Sequence, residues 1–149
     1  MFFNSKKKKL LKTGNDAIQA SLFGFFIGDA LGVPVEFQSR EKLERKKVTK
    51  MKGYGTHNQP KGTWSDDSSM VLATIDGLIQ SNGYNINYQA IMSNFLKWKS
   101  RGDFTPFNYV FDIGNATNNA LIVYQQKVAE NKVDDVICGK DNILSLIHI

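Results

Sequence analysis

Apolar residues in this chain recur at helical rather than strand spacing. Ile18, Leu22, Phe25 and Phe26 fall three and four residues apart, which predicts a helix opening at Asn15 or Asp16 and running to about Leu31. Its apolar residues lie on most sides, so a buried, central helix is expected. Gly32, Val33 and Pro34 should end it, because the residue before a proline is pushed out of the helical region. Residues 38–62 are polar, basic and punctuated by Gly53, Gly55, Pro60 and Gly62, which reads as a short helical or irregular excursion and then a long loop. Ser65-Asp66-Asp67-Ser68 opens a second helical segment, Met70–Ile79, apolar at Val71, Ile75, Leu78 and Ile79, with Gly83 placed as its terminating glycine. A third helix is predicted over Asn87–Arg101, with Ile91, Phe95 and Trp98 on one stripe and Gly102 as its stop. The fourth covers Asn115–Asn131, where Ala120, Leu121, Tyr124 and Val128 repeat at helical spacing. No segment alternates over a strand's length and no internal repeat is visible. The fold class is therefore all-α, a compact multi-helix domain.

Composition narrows this further. With 149 residues, 42% of them hydrophobic and 22% charged, the chain is one globular domain or a piece of a larger one. The single cysteine, Cys138, makes no internal disulfide, and no Cys/His cluster has structural-zinc spacing, so a reducing, cytoplasmic setting is expected. The net charge of +5 raises the question of nucleic acid. Its sources are Lys6, Lys7, Lys8, Lys9 and Lys12, and seven cations between Arg40 and Lys52 relieved by Glu41 and Glu44. Neither cluster interleaves arginine with aromatic residues, as base stacking would need, so both read as solvated segments and no nucleic-acid partner is expected. The lysine run followed by Ala20–Gly28 imitates a signal peptide, but Asn15, Asp16 and Gln19 intervene and Asp29 closes the run. That run also falls short of the ~20 apolar residues of a membrane span, so neither export nor a membrane partner is expected. Residues 1–14 read as a basic leader and 15–149 as one domain or a piece of one, expected to be a monomer.

Two short segments could carry chemistry. Ser65-Asp66-Asp67-Ser68 serves equally as a helix start, with Ser65 or Asp66 as N-cap, and as a hydroxyl plus two carboxylates suited to a hard divalent cation. In Gly28-Asp29-Ala30-Leu31-Gly32-Val33-Pro34-Val35-Glu36-Phe37, the acid Glu36 sits between apolar neighbours just past the helix exit. A partly desolvated carboxyl there suits general acid/base work or metal ligation, whereas Asp29 and Glu36 could equally be surface or capping acids. Asp112-Ile113-Gly114-Asn115-Ala116-Thr117 reads as a turn and N-cap before the fourth helix, His57 as a solvated histidine in a glycine-rich loop, and Trp64 and Trp98 as packing residues.

Taken together, GDALGVPVEF (28–37), GTWSDDSSM (62–70) and FDIGNATNNAL (111–121) resemble, in order, three blocks of the ADP-ribosylglycohydrolase family, over roughly Asp16–Gln125. The resemblance implies an all-α domain with a pair of Mg²⁺ or Mn²⁺ ions in a central cleft. It also implies hydrolysis of the bond between ADP-ribose and a protein side chain, or of a related ADP-ribose compound. The partners so implied are an ADP-ribosylated protein or an ADP-ribose-containing small molecule. By matching motif, Ser65, Asp66 and Asp67 become metal ligands, with Ser65 where a threonine is common, and Glu36 the acidic residue near the metals, a ligand, gate or acid/base in the family and expected here to be catalytic. The family's second ligand motif, of the Asp-x-Asp-(Thr/Ser) kind, has no match after Asp67, and Asp134-Asp135 stands in the wrong context. The sequence ends in Ile143, Leu144, Leu146, Ile147 and Ile149, as a tail docked into a core or an element cut midway would. A truncated hydrolase, inactive as these residues alone, is expected. The alternative is a non-catalytic ADP-ribose-binding or interaction module that keeps half of the metal site.

Overall fold

The computed structural model describes residues 14–81 and 85–132. Over these residues the chain is all-α, without strands: α1 (Gly14–Gly32), a 3₁₀ turn (Val33–Val35), α2 (Arg40–Arg45), α3 (Asp66–Ile79), α4 (Tyr88–Arg101) and α5 (Asn115–Ala129). The basic leader's lysines, Gly83, Asp134-Asp135, Cys138 and the apolar ending all lie outside the described residues.

The core is built on α4. Its stripe of Ile91, Phe95 and Trp98, joined by Met92, packs with Ala73 of α3 and with Leu121 and Tyr124 of α5. Asn87 caps α4 by accepting the Ala90 N–H at 3.0 Å. At the other end Gly102 takes φ 72° and returns its N–H to the Trp98 carbonyl at 2.9 Å. That left-handed position is one glycine adopts without strain, and a Cβ there would overlap the Asn108 backbone.

Helix α3 turns a different face inward from the one its large apolar residues suggest. Leu78 and Ile79 are exposed, at 43% and 77%, while Ser69, Ala73 and Gly77 are buried. The reason is close approach: a Cβ on Gly77 would meet the Ile91 backbone and side chain at under 3.0 Å, so only small residues fit between α3 and α4. Asn94, 1% exposed, clips the two helices together by donating to the Ala73 carbonyl at 3.1 Å and to Asp76 Oδ2 at 2.8 Å. The α3 C-cap is Gln80, whose N–H reaches the Asp76 carbonyl at 3.2 Å, while the Ser81 N–H reaches the Leu78 carbonyl at 3.0 Å. In α5 the expected stripe holds at Ala120, Leu121 and Tyr124, whereas Val128 is 40% exposed.

The largest departure is α1, expected as a buried central helix. Only Ala30 is buried, and Ile18, Phe23, Phe25 and Ile27 are between 45% and 65% exposed. Apolar composition measures a helix's tendency to be covered; α1 is continuously covered only over Asp29–Gly32, with Ala17, Leu22 and Phe26 half-buried before it. The helix is also longer than the nine-residue apolar run Ala20–Gly28, and by length and composition alone it could cross a membrane. A core helix of a soluble domain passes the same test.

Candidate active site

The site forms where the end of α1, the start of α3 and two loops meet. Asp29, in the last turns of α1, points its carboxylate at the N-terminus of α3. It accepts from the Ser65 N–H (3.0 Å), the Ser65 hydroxyl (2.8 Å), the Ser68 N–H (3.2 Å) and the Ser68 hydroxyl (2.5 Å). An anion at a helix N-terminus meets unpaired backbone N–H groups and the positive end of the macrodipole. Ser65 is the N-cap of α3, accepting the Asp67 N–H at 3.3 Å. Ser65-Asp66-Asp67-Ser68 thus starts α3, as the capping reading expects, and brings Asp66 and Asp67 to a cavity. Ser65 spends its hydroxyl proton on Asp29 and one lone pair on Asp67 N–H, which leaves one lone pair.

Beyond α1, Pro34 sits in the 3₁₀ turn and Glu36 N–H closes on the Gly32 carbonyl at 3.0 Å. The chain then turns sharply at Phe37, which has φ 59° and is 82% exposed. The 53–60 loop lies over this turn. Thr56 donates its N–H to the Pro34 carbonyl (3.1 Å) and its hydroxyl to the Glu36 carbonyl (2.6 Å). His57 then places Nε2 2.5 Å from Glu36 Oε2 and 3.7 Å from Asp112 Oδ2. Its ring lies between Phe37 and Phe111, with centroids 5.9 and 5.4 Å away.

One expectation is corrected here. His57 is not a solvated loop histidine: its side chain is 13% exposed and bonded to Glu36. The 112–117 segment does supply the N-cap of α5, at Gly114 and without a side-chain bond, and it also turns Asp112 to the cavity. Trp64 and Trp98 are packing residues as expected, Trp64 donating to the Phe104 carbonyl at 3.1 Å and Trp98 fully buried.

A cavity of about 580 Å³ brings together Asp29, Glu36, Ser65, Asp66, Asp67 and Asp112. All four residues singled out from the sequence, Glu36, Ser65, Asp66 and Asp67, therefore share one space. Packing so many carboxylates together has an electrostatic cost. Burial, then the neighbouring charges of Asp112 and Asp67, push the Asp66 carboxyl up to about 6 from an ordinary 3.8. Burial followed by Asp29, Glu36 and Asp112 also raises Asp67. Like charges in a partly desolvated cleft hold protons unless a cation replaces them. Oxygen-rich donors of this kind suit Mg²⁺ or Mn²⁺. A second grouping, Glu36, His57 and Asp112, offers one ligand atom each, all within 4.8 Å of one another.

An all-helical domain with a carboxylate-lined cleft at a helix N-terminus presents a set of oxygen donors of the kind hard divalent cations take. The model of the ADP-ribosylglycohydrolase family matches residues 11–143, and the chain belongs to that family. It is 35% identical over 109 residues to the ADP-ribosylarginine hydrolase Tri1 of Serratia proteamaculans (strain 568), covering 73% of this chain and 28% of that protein. Against the Tri1 of Pseudomonas putida (strain GB-1) it is 35% identical over 106 residues, 71% of this chain and 27% of the relative. The match thus spans a little over a quarter of each relative's length.

Proposed function

We propose that this chain supplies part of the active site of a metal-dependent hydrolase that cleaves the bond between the anomeric carbon of ADP-ribose and a protein side chain. Arginine is the side chain we favour, because both relatives are named for ADP-ribosylarginine. The observation that carries this reading is the convergence of Asp66, Asp67, Glu36 and Asp112 on one cavity, with Asp66 pushed up to about 6 by burial and its acidic neighbours.

In this reading Ser65, Asp66 and Asp67 hold Mg²⁺ or Mn²⁺, and Asp29 keeps them in place by fixing the first turn of α3. A bound divalent cation supplies charge stabilisation and an acidified water. Glu36 moves a proton at its carboxylate oxygens, to or from the leaving group or the attacking water. The surrounding carboxylates favour the positive character that develops at the anomeric carbon as the glycosidic bond breaks. No Asp-x-Asp-(Thr/Ser) motif occurs in these 149 residues, so on their own they should bind cations weakly and turn over no substrate.

The test is hydrolysis of an ADP-ribosylated arginine by the whole protein that carries these residues, with Mg²⁺ or Mn²⁺ supplied. Changing Asp66 and Asp67 together to Ala should lower kcat/KM by at least about 1,000-fold, the loss of charge stabilisation and of the activated water combined. Undiminished turnover in that variant would sink the proposal. Binding of ADP-ribose without turnover in the unaltered protein would favour a non-catalytic module instead.

A further inference from the structure

We propose that His57 is a positioning residue for Glu36, presented by a loop that clamps the segment between α1 and α2. The inference rests on the reading of Glu36 as the proton-handling acid and adds what holds that acid in place.

Glu36 has little else to orient it. Its side chain is 40% exposed, it lies just beyond a 3₁₀ turn, and the next residue, Phe37, is in the left-handed region. An unrestrained glutamate in such a place samples many rotamers, and a proton-transfer group misplaced by about 1 Å can lose about 100-fold in rate. The 53–60 loop removes that freedom at two levels. At the backbone, Thr56 bonds both the Pro34 and the Glu36 carbonyls. At the side chain, His57 Nε2 meets Glu36 Oε2 at 2.5 Å.

The loop is itself fixed. Gly55 passes so close to Pro34 that any Cβ would overlap the Pro34 carbonyl. Tyr54 N–H bonds the Gln59 carbonyl at 2.7 Å, and the Tyr109 hydroxyl donates to Gln59 Oε1 at 2.5 Å. Phe37 and Phe111 flank the imidazole and restrict its rotation. His57 Nε2 also faces Asp112 at 3.7 Å, so one ring nitrogen meets two carboxylates that line the cavity. Loop, histidine and acid form one rigid unit on one wall of the site.

The experiment is a double-mutant cycle in the whole protein, reading kcat and KM for hydrolysis of an ADP-ribosylated arginine. His57→Ala should lower kcat by about 100-fold. KM should stay within roughly threefold, because substrate binding is not what is lost. His57→Gln, whose amide nitrogen reaches the place of Nε2, should recover at least about tenfold of that loss. In a Glu36→Ala background, His57→Ala should cost nothing further, the non-additivity expected of a residue that acts through another. Independently of turnover, the metal-free protein should show a far-downfield imidazole N–H proton that disappears in Glu36→Ala.

Wild-type kcat in His57→Ala, or losses that multiply in the double variant, would overturn the proposal, as would that proton persisting without Glu36. If His57→Ala does not fold, the His57→Gln kinetics and the proton spectrum still decide it. Full activity in Glu36→Ala would instead bring down the reading of Glu36 itself, and is distinguishable because it needs no change at His57.

Discussion

The Asp29 carboxylate accepts four hydrogen bonds from two serines, and both serines lie in the segment that also carries Asp66 and Asp67. Asp29→Asn keeps the shape but replaces one accepting oxygen with a donor that faces other donors. The expected cost is about 1.5–3 kcal/mol of stability, read from chemical denaturation. Asp66 makes the opposite kind of statement. Its folded value of about 6 lies above the ordinary 3.8, so between those two pH values the native state binds more protons than the unfolded chain. Stability of the metal-free protein should then fall as pH rises through that window, and the melting temperature should be a few degrees higher near pH 5 than near pH 7.5. Added Mn²⁺ or Mg²⁺ should restore stability at pH 7.5. A melting temperature that climbs from pH 5 to 7.5 without metal would contradict the assignment.

At the scale of elements, two glycines set how closely segments approach. Gly77→Ala forces apart α3 and α4 at Ile91 and should cost about 1–3 kcal/mol with the site's acids intact. Gly55→Ala should instead lift the loop from Pro34, lowering turnover by about 100-fold through misplacement of Glu36. Thermal melts and steady-state kinetics on the two variants separate these effects. Helix α4 was legible in the sequence because Asn87, the stripe Ile91-Phe95-Trp98 and Gly102 all speak locally, through capping, periodicity and a left-handed stop. The inner face of α3 was not, since close approach favours Ser69, Ala73 and Gly77 over the larger residues that carry the apolar pattern. Glu36, Asp66 and Asp67 were legible as parts of short motifs, each sitting at a helix end. His57 was not, because its partner lies 21 positions away and a lone histidine in a glycine-rich loop has no local signature of pairing. Asp112 was hidden similarly: the turn before α5 explains an aspartate there without reference to a cavity. The FDIGN block was the one available hint.

Over the whole molecule, the cover of α1 is the feature the sequence pattern could least convey. Ile18, Phe23, Phe25 and Ile27 are exposed on a helix whose far end builds the site, Ile18 and Phe25 on one side and Phe23 and Ile27 on the other. Exposed apolar side chains of this kind promote association and dye binding. The 149-residue chain should therefore bind a hydrophobic dye and associate as its concentration rises. Phe23→Ser with Phe25→Ser should reduce both while leaving the melting temperature nearly unchanged, checked by fluorescence and sedimentation. Equal dye binding in that variant would place the apolar surface elsewhere.

The bonds from Asp29 tie this surface to the chemistry in a way that can be timed. The amides of Ser65 and Ser68 are held by a side chain from another helix rather than by a carbonyl of their own. Their exchange with deuterated solvent thus counts how often the end of α1 lifts away from α3, not how often α3 frays. Those two amides are built-in clocks for the opening and closing of the site.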